Sequence, residues 1–248
     1  MAIRFLFLIS IFLGMTSSRA APQTLGIEIR QLEYNGTRFT VVSADLTKVQ
    51  LKMFWKNPQG KPFSSLKNLE KHLVKNKIRL LTAMNAGIFD TSQAPLGLHI
   101  ERGKVLHPLK TRRSGYGNFY LQPNGVFFLE KSGARILETL DYQRLAPAAL
   151  EATQSGPMLV RNGKIHSAFQ KNSFNRLPRN IIGVESRSKV HLVISDDWVN
   201  FYDTAMFMRD ILKCQNALYL DGSISAMRIP KTRDDDGEFG GMIGIIQP

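Results

Sequence analysis

Asparagine–glycine pairs punctuate this chain, and they limit its fold more than any other feature. Asn35-Gly36, Asn124-Gly125 and Asn162-Gly163 each stand between apolar or alternating stretches. Both residues of such a pair tolerate the positive φ that a two-residue type I′ turn requires, so each pair predicts a β-hairpin. Arg102-Gly103-Lys104 is a weaker signal of the same kind. Around these turns, strands are expected at 26–34, 38–45, 49–55, 78–84, 96–101, 119–122, 126–130, 158–161, 181–185, 190–195 and 217–220. Two segments carry helical spacing instead. Leu66, Leu69, Leu73 and Val74 follow Ser64-Ser65, an apolar face behind a capping serine. From about 203 to 214, Phe207/Ile211 and Met208/Leu212 form i,i+4 pairs, with Asp203 or Thr204 as the cap and Met206 and Met208 as core filler. Many strands with few helices predict an α+β fold of mixed, largely antiparallel sheets. The chain has no internal repeat or Pro/Ser-rich linker after residue 21, so a single domain spanning 21–248 is expected.

The N-terminus bears on compartment. Arg4 precedes an apolar run from Phe5 to Met15, and Ser18 and Ala20 supply the small residues of a signal-peptidase cut, so residues 1–20 read as a signal peptide and the protein as periplasmic or secreted. The full chain carries 33 Lys+Arg against 20 Asp+Glu. Removing Arg4 and Arg19 leaves 31 against 20, a net of +11 over residues 21–248. Such an excess suits nucleic acid, an anionic membrane surface or a phosphate-bearing substrate. Export argues against nucleic acid. The single cysteine, Cys214, cannot pair within the chain, which excludes a disulfide scaffold, and its apolar surroundings make it a buried small hydrophobe rather than a nucleophile.

Walker, dinucleotide, nucleophile-elbow and His-Glu-x-x-His motifs are all missing from the sequence. Asp234-Asp235-Asp236-Gly237-Glu238 fails as a calcium loop, because Thr232 and Ile243 would occupy positions that need carboxylates, and a solvated loop is expected there. The five histidines lack metal-ligand spacing, so no metal site is argued, and the residues name no cofactor. The remaining candidates are polar residues just after apolar strands. Asn85-Ala86-Gly87 offers an amide with both donor and acceptor beside a glycine that allows close backbone approach. Asp221-Gly222-Ser223 puts a carboxylate at the end of a buried strand, suited to act as base or nucleophile. The loop 171–180 holds Arg176 and Arg179, whose guanidinium groups suit phosphate. Gln154-Ser155-Gly156-Pro157-Met158 and Gly117-Asn118-Phe119 are polar entries into apolar segments. Each has an ordinary turn as its structural alternative.

In order and wording these segments resemble the bacterial phosphodiester glycosidases. The resemblance runs from about Arg38 to the C-terminus. It implies an α+β fold and hydrolysis of a sugar 1-phosphodiester, typically N-acetylglucosamine linked through phosphate to a second alcohol. It carries over Asn85, Gly87, Asn118, Ser155, Gly156, Arg179, Asp221, Gly222 and Ser223 as site residues. The expected division of labour has Arg179, helped by Arg176, gripping the phosphate and Asn85 and Asn118 orienting the sugar. Asp221 activates water or stabilises the cationic transition state, and Ser223 orients it. The expected partner is a sugar phosphodiester, borne on a cell-envelope glycan, with peripheral contact to an anionic envelope surface. A different expectation is a non-catalytic envelope protein that binds anionic glycans or phospholipid headgroups. A serine hydrolase built on Ser155 or Ser223 finds no histidine in recognisable relation to either.

Overall fold

A computed structural model describes residues 26–248; the expected signal segment 1–20, and the domain start at 21, lie outside the described residues. Every described strand pairing is antiparallel. One seven-stranded sheet runs, edge to edge, Ile27–Tyr34, Thr37–Asp45, Lys189–Ser195, Asn180–Ser186, Asn216–Asp221, Met158–Arg161 and Lys164–Ile165. A second, five-stranded sheet runs Arg233–Asp234, Met227–Ile229, Leu80–Asn85, Met242–Ile246 and Gln50–Phe54. A third runs Lys104–His107, His99–Glu101, Glu151–Ser155, Gly125–Glu130 and Gly133–Glu138.

The three sheets share one core. Val42, Ile182, Leu192 and Leu220 of the first meet Leu51, Met84 and Ile243 of the second and Phe127 and Ile136 of the third. Each sheet then has its outer face covered by a short helix. Leu66–Lys75 lays Leu66, Leu69 and Leu73 on the second sheet, and burying each leucine contributes about 1.5–3 kcal/mol. Thr139–Leu145 covers the third with Tyr142. Phe201–Met206, continued by a π-helical turn Phe207–Ile211, covers the first, where Phe207 stacks on Phe39 at 4.1 Å. Central strands such as Asn180–Ser186 are therefore buried on both faces, which is why they read as continuous apolar runs.

Several expectations change. Asn35-Gly36 and Asn162-Gly163 do turn hairpins with positive φ, as does Arg102-Gly103. Asn124-Gly125 does not. The segment 119–122 is a 3-10 turn over Asn118–Tyr120 instead of a strand, so no partner strand enters the turn. Asn124 is buried, its amide donating to the Phe119 carbonyl at 3.0 Å and accepting from Thr139 Oγ1 at 2.8 Å. In the first helix Val74 faces solvent. The second expected helix starts earlier and is capped by Asn200, which accepts from the Asp203 N–H at 2.8 Å. The acidic run is largely exposed, as expected, but carboxylates within it are tied to the fold. Asp235 holds Arg233, and Asp236 accepts the Leu66 N–H at 3.0 Å at the start of the first helix. Cys214 is buried, which pushes its thiol pKa well up.

Candidate active site

Strand alternation builds the site. Successive residues point to opposite faces of a sheet, and Ile181 and Ile182 accordingly join cores on opposite sides of the seven-stranded sheet. At the N-terminal end of the same strand, Arg179 turns toward the helix side, its guanidinium 4.0 Å from the Phe201 ring centre. Asn180 turns toward the second sheet. There its Nδ2 donates to the Asn85 carbonyl at 2.8 Å and to Asn85 Oδ1 at 2.9 Å, while its own Oδ1 accepts the Asp221 N–H. Asn85 Oδ1 also accepts from the Ala226 N–H at 2.9 Å. Two amides thus stitch two sheets together and fix the strand end that carries Asp221. With both lone-pair directions of Oδ1 in use, the Asn85 amide cannot flip, and its buried Nδ2 has no partner.

Asp221 is half-buried, and desolvation pushes its carboxyl pKa up to about 6 although the Gly222 N–H donates to it at 2.6 Å. No basic side chain pairs with it among the described residues. Arg179 is just as uncompensated. It is fully buried, and its hydrogen bonds go to neutral groups: Nε to the Val199 carbonyl at 3.3 Å, and Nη2 to the Asn175 carbonyl and Oδ1 at 3.1 and 2.9 Å. Burial lowers its pKa, yet a guanidinium stays charged. Its Nη1 reaches Tyr219 Oη at 3.5 Å, and Asn118 Nδ2 donates to the same oxygen at 3.3 Å. With two donors on its oxygen, Tyr219 has its own O–H left to donate. Burial raises the tyrosine's pKa and outweighs the opposing pull of Arg179, so the hydroxyl stays protonated. Gly222 makes the cluster possible, because a Cβ there would lie 2.5 Å from Tyr219 Oη.

The structure therefore brings Asn85, Asn118, Arg179, Asp221 and Gly222 into one constellation, with some roles altered. Arg179 lies beneath the site as a fixed charge and reaches outward through Tyr219. Arg176 stays outside the buried cluster, exposed, with Nε on the Trp198 carbonyl at 3.3 Å. Ser223 is exposed and makes no hydrogen bond to Asp221; the hydroxyl folded into this turn is that of Ser225, which donates to the Gly222 carbonyl at 2.6 Å. Ser155 is buried, and its Oγ donates to the Leu220 carbonyl at 2.8 Å. Gly87 and Gly156 serve close packing, since a Cβ would lie 2.4 Å from the Gln154 carbonyl oxygen and 2.5 Å from Asn124 Cβ respectively. A Ser–His–carboxylate chain does exist away from the site, where His191 bonds Ser43 Oγ and Glu185, each at 2.9 Å. Ser43, however, lies within a strand paired on both sides, whose N–H groups belong to the ladders and cannot form an oxyanion hole.

Asn180, Tyr219 and Asn175 escaped the sequence reading. Asn180 ends a loop rich in asparagine, and nothing local distinguishes it from its neighbours. Tyr219 carries the one side-chain polar group in Ala217-Leu218-Tyr219-Leu220, the signal that could have exposed it.

Residues 79–239 match the phosphodiester glycosidase family. The chain belongs to that family. It is 35% identical over 178 residues to YigE, an uncharacterised protein of Escherichia coli (strain K12), covering 72% of this chain and 69% of YigE. Its fold resembles the catalytic domain of zebrafish N-acetylglucosamine-1-phosphodiester alpha-N-acetylglucosaminidase, with a TM-score of 0.60 at 17% identity over 91% of this chain and 85% of that one. A hypothetical protein from Synechocystis matches with a TM-score of 0.60 at 16% identity, over 90% of this chain and 62% of that one. Membership of the phosphodiester glycosidases supports glycoside hydrolysis of sugar phosphodiesters as the class of reaction. The constellation around Asp221 and Arg179 falls within the matched residues.

Proposed function

We propose that this protein is an exported hydrolase that cleaves a sugar 1-phosphodiester, N-acetylglucosamine 1-phosphodiester in particular, at the glycosidic bond. The observation that carries the reading is the coexistence, around Tyr219, of a half-buried carboxylate with no cation and a fully buried guanidinium with no carboxylate. Each unpaired charge is costly in a low-dielectric site, and functional sites are where such costs recur. In the proposed reaction water attacks the anomeric carbon, the bond from that carbon to the phosphate-bridging oxygen breaks, and the phosphate leaves as a monoester that keeps this oxygen. Asp221, ionised above about pH 6, takes the proton from the attacking water. A phosphate monoester is a weakly basic leaving group, so the second carboxyl of ordinary glycosidases is dispensable. Tyr219 donates its free O–H to the departing phosphate, and Arg179 stabilises the growing negative charge from behind it. The unpartnered Asn85 Nδ2 donates to the sugar or its acetamido carbonyl.

The test is hydrolysis of a panel of sugar 1-phosphodiesters by the purified protein and by Asp221→Asn, run in water labelled with heavy oxygen. Label is expected in the released sugar. Label in the phosphate would mean attack at phosphorus and would remove the assignment, as would an unimpaired Asp221→Asn enzyme.

A further inference from the structure

The positive charge of this protein is not spread evenly. Residues 102–129 and 152–184 together hold ten Lys or Arg and no Asp or Glu, whereas the rest of residues 21–248 is nearly balanced at 21 against 20. Both segments reach the candidate site: the first supplies Asn118, the second Asn175, Arg179 and Asn180. On these two segments Arg112, Arg113, Lys171 and Arg176 are exposed, and none is in an ion pair among the described residues. Nearby carboxylates are already engaged, Asp196 and Asp235 with Arg233 and Asp197 with Arg38.

Aromatic exposure is concentrated in the same place. Tyr116, Phe174 and Trp198 are exposed to 101%, 100% and 66%, and they are the exposed aromatic residues among those described. Each stands one or two residues along the chain from a group bonded to Arg179 or to Tyr219. Phe174 precedes Asn175, Trp198 precedes Val199, and Tyr116 lies two before Asn118. Ile224, also exposed, follows three residues after Asp221. The loops are rooted. Gln154 Oε1 accepts the Lys110 N–H at 3.0 Å while its Nε2 donates to the Lys110 carbonyl at 2.7 Å, and Arg176 ties the Phe174 loop to Trp198.

We propose that this rim docks the protein on an anionic lipid surface, with Tyr116, Phe174 and Trp198 entering the interface and Arg112, Arg113, Lys171 and Arg176 meeting phosphate headgroups. Trp and Tyr prefer the membrane–water interface, and clustered cations add attraction to anionic lipid. A polyanionic glycan would satisfy the cations but leave rings as exposed as Tyr116 and Phe174 largely in water. No helix among the described residues is long and apolar enough to cross a membrane, and the contact we propose is peripheral. The site would then face diesters presented at the lipid surface. The docking step itself is measured without turnover and stands apart from the proposed reaction.

The test is co-sedimentation of the purified protein with vesicles of phosphatidylglycerol and phosphatidylcholine, against vesicles of phosphatidylcholine alone. Binding to the anionic vesicles is expected, weakening steeply with salt, with a blue shift of tryptophan emission that is absent in Trp198→Phe. Arg112→Gln/Arg113→Gln/Lys171→Gln should bind about 100-fold more weakly. Tyr116→Ala/Phe174→Ala/Trp198→Ala should lose about tenfold or more, and its melting temperature should be unchanged because the three side chains are exposed. The control Lys71→Gln/Lys75→Gln/Lys77→Gln, on and after the first helix, should bind as the parent does. Failure to bind anionic vesicles, undiminished binding by the aromatic variant, or an equal loss in the control would each overturn the proposal. So would competition by soluble poly(glycerol phosphate) that the aromatic variant still binds at parental strength, which would assign the face to a glycan.

Discussion

Arg233 and Arg179 both approach the end of the seven-stranded sheet where Thr40, Ile194, Asn180 and Asp221 stand in one row across four strands. Arg233 is fully answered. It bonds Asp196, Asp235 at 2.6 Å and Thr40 Oγ1 at 2.9 Å. Burial alone would lower its pKa, but the two carboxylates outweigh burial and raise it. That cluster clamps the loop between the last strands to the sheet. Arg179 meets carbonyls, an amide and a phenol, and no acid, while Asp221 a short way off meets its own backbone. The sheet end therefore holds one cation whose charge is neutralised within the fold and one that meets no acid. That unanswered charge, which reaches outward through Tyr219, is what the proposed phosphodiester chemistry rests on.

Separating the two clusters by mutation gives ordered expectations. Asp221→Asn has the largest effect, a fall in kcat of about 10²–10⁴ for loss of a proton acceptor. The fold should gain from the same change. The folded carboxyl titrates near 6 against about 3.9 for an aspartate in water, so the folded state holds the proton more tightly than the unfolded one. Stability on this account is full below about pH 4, falls as pH rises to about 6, and stays lower above it by up to about 3 kcal/mol. Thermal melts should show Asp221→Asn more stable than the parent at pH 7.5 and equal to it at pH 4; equal melts at both would place the carboxyl in water. The parental rate should correspondingly rise with pH through about 6.

Arg179→Ala should cost about 2–4 kcal/mol of transition-state stabilisation, read as kcat/KM on a sugar phosphodiester. On an uncharged aryl glycoside the loss should be small, since there is no phosphate to stabilise; an equal loss on both would make the residue merely structural. Arg233→Ala should do the converse, lowering stability by about 1–2 kcal/mol by stranding two partly buried carboxylates and leaving the preference between the two substrates unchanged. Gly222→Ala, by pushing a methyl into Tyr219 Oη, should lower kcat about tenfold. Tyr219→Phe removes the hydroxyl at a similar cost of about 1–2 kcal/mol and should leave the apparent pKa near 6 in place.

Legibility followed the range of the interactions involved. Hairpins at Asn35-Gly36 and Asn162-Gly163 could be read because two residues set their own φ angles. The same dipeptide at Asn124-Gly125 could not, because there the decision belongs to Thr139 and Phe119, which lie on other segments. Asp221 and Arg179 stood out as charged residues beside buried strands. Their lack of partners did not, since that depends on what every other segment brings nearby. Arg176, by residue type as good an anion reader as Arg179, lies outside the cluster because the two residues between them carry the chain from an exposed loop to a buried strand end.

By itself the sequence determined the class of fold, through turn residues and strand alternation, and the family, through the order of short polar segments. Both are properties of neighbours along the chain. Tertiary structure decided which polar groups face one another: that Asn180 bridges Asn85 and Asp221, that Tyr219 receives two donors, and that Arg179 is enclosed as a charge without an acid. Those are facts about the meeting of strand ends distant in sequence, where burial removes water and so gives each missing partner its energetic weight.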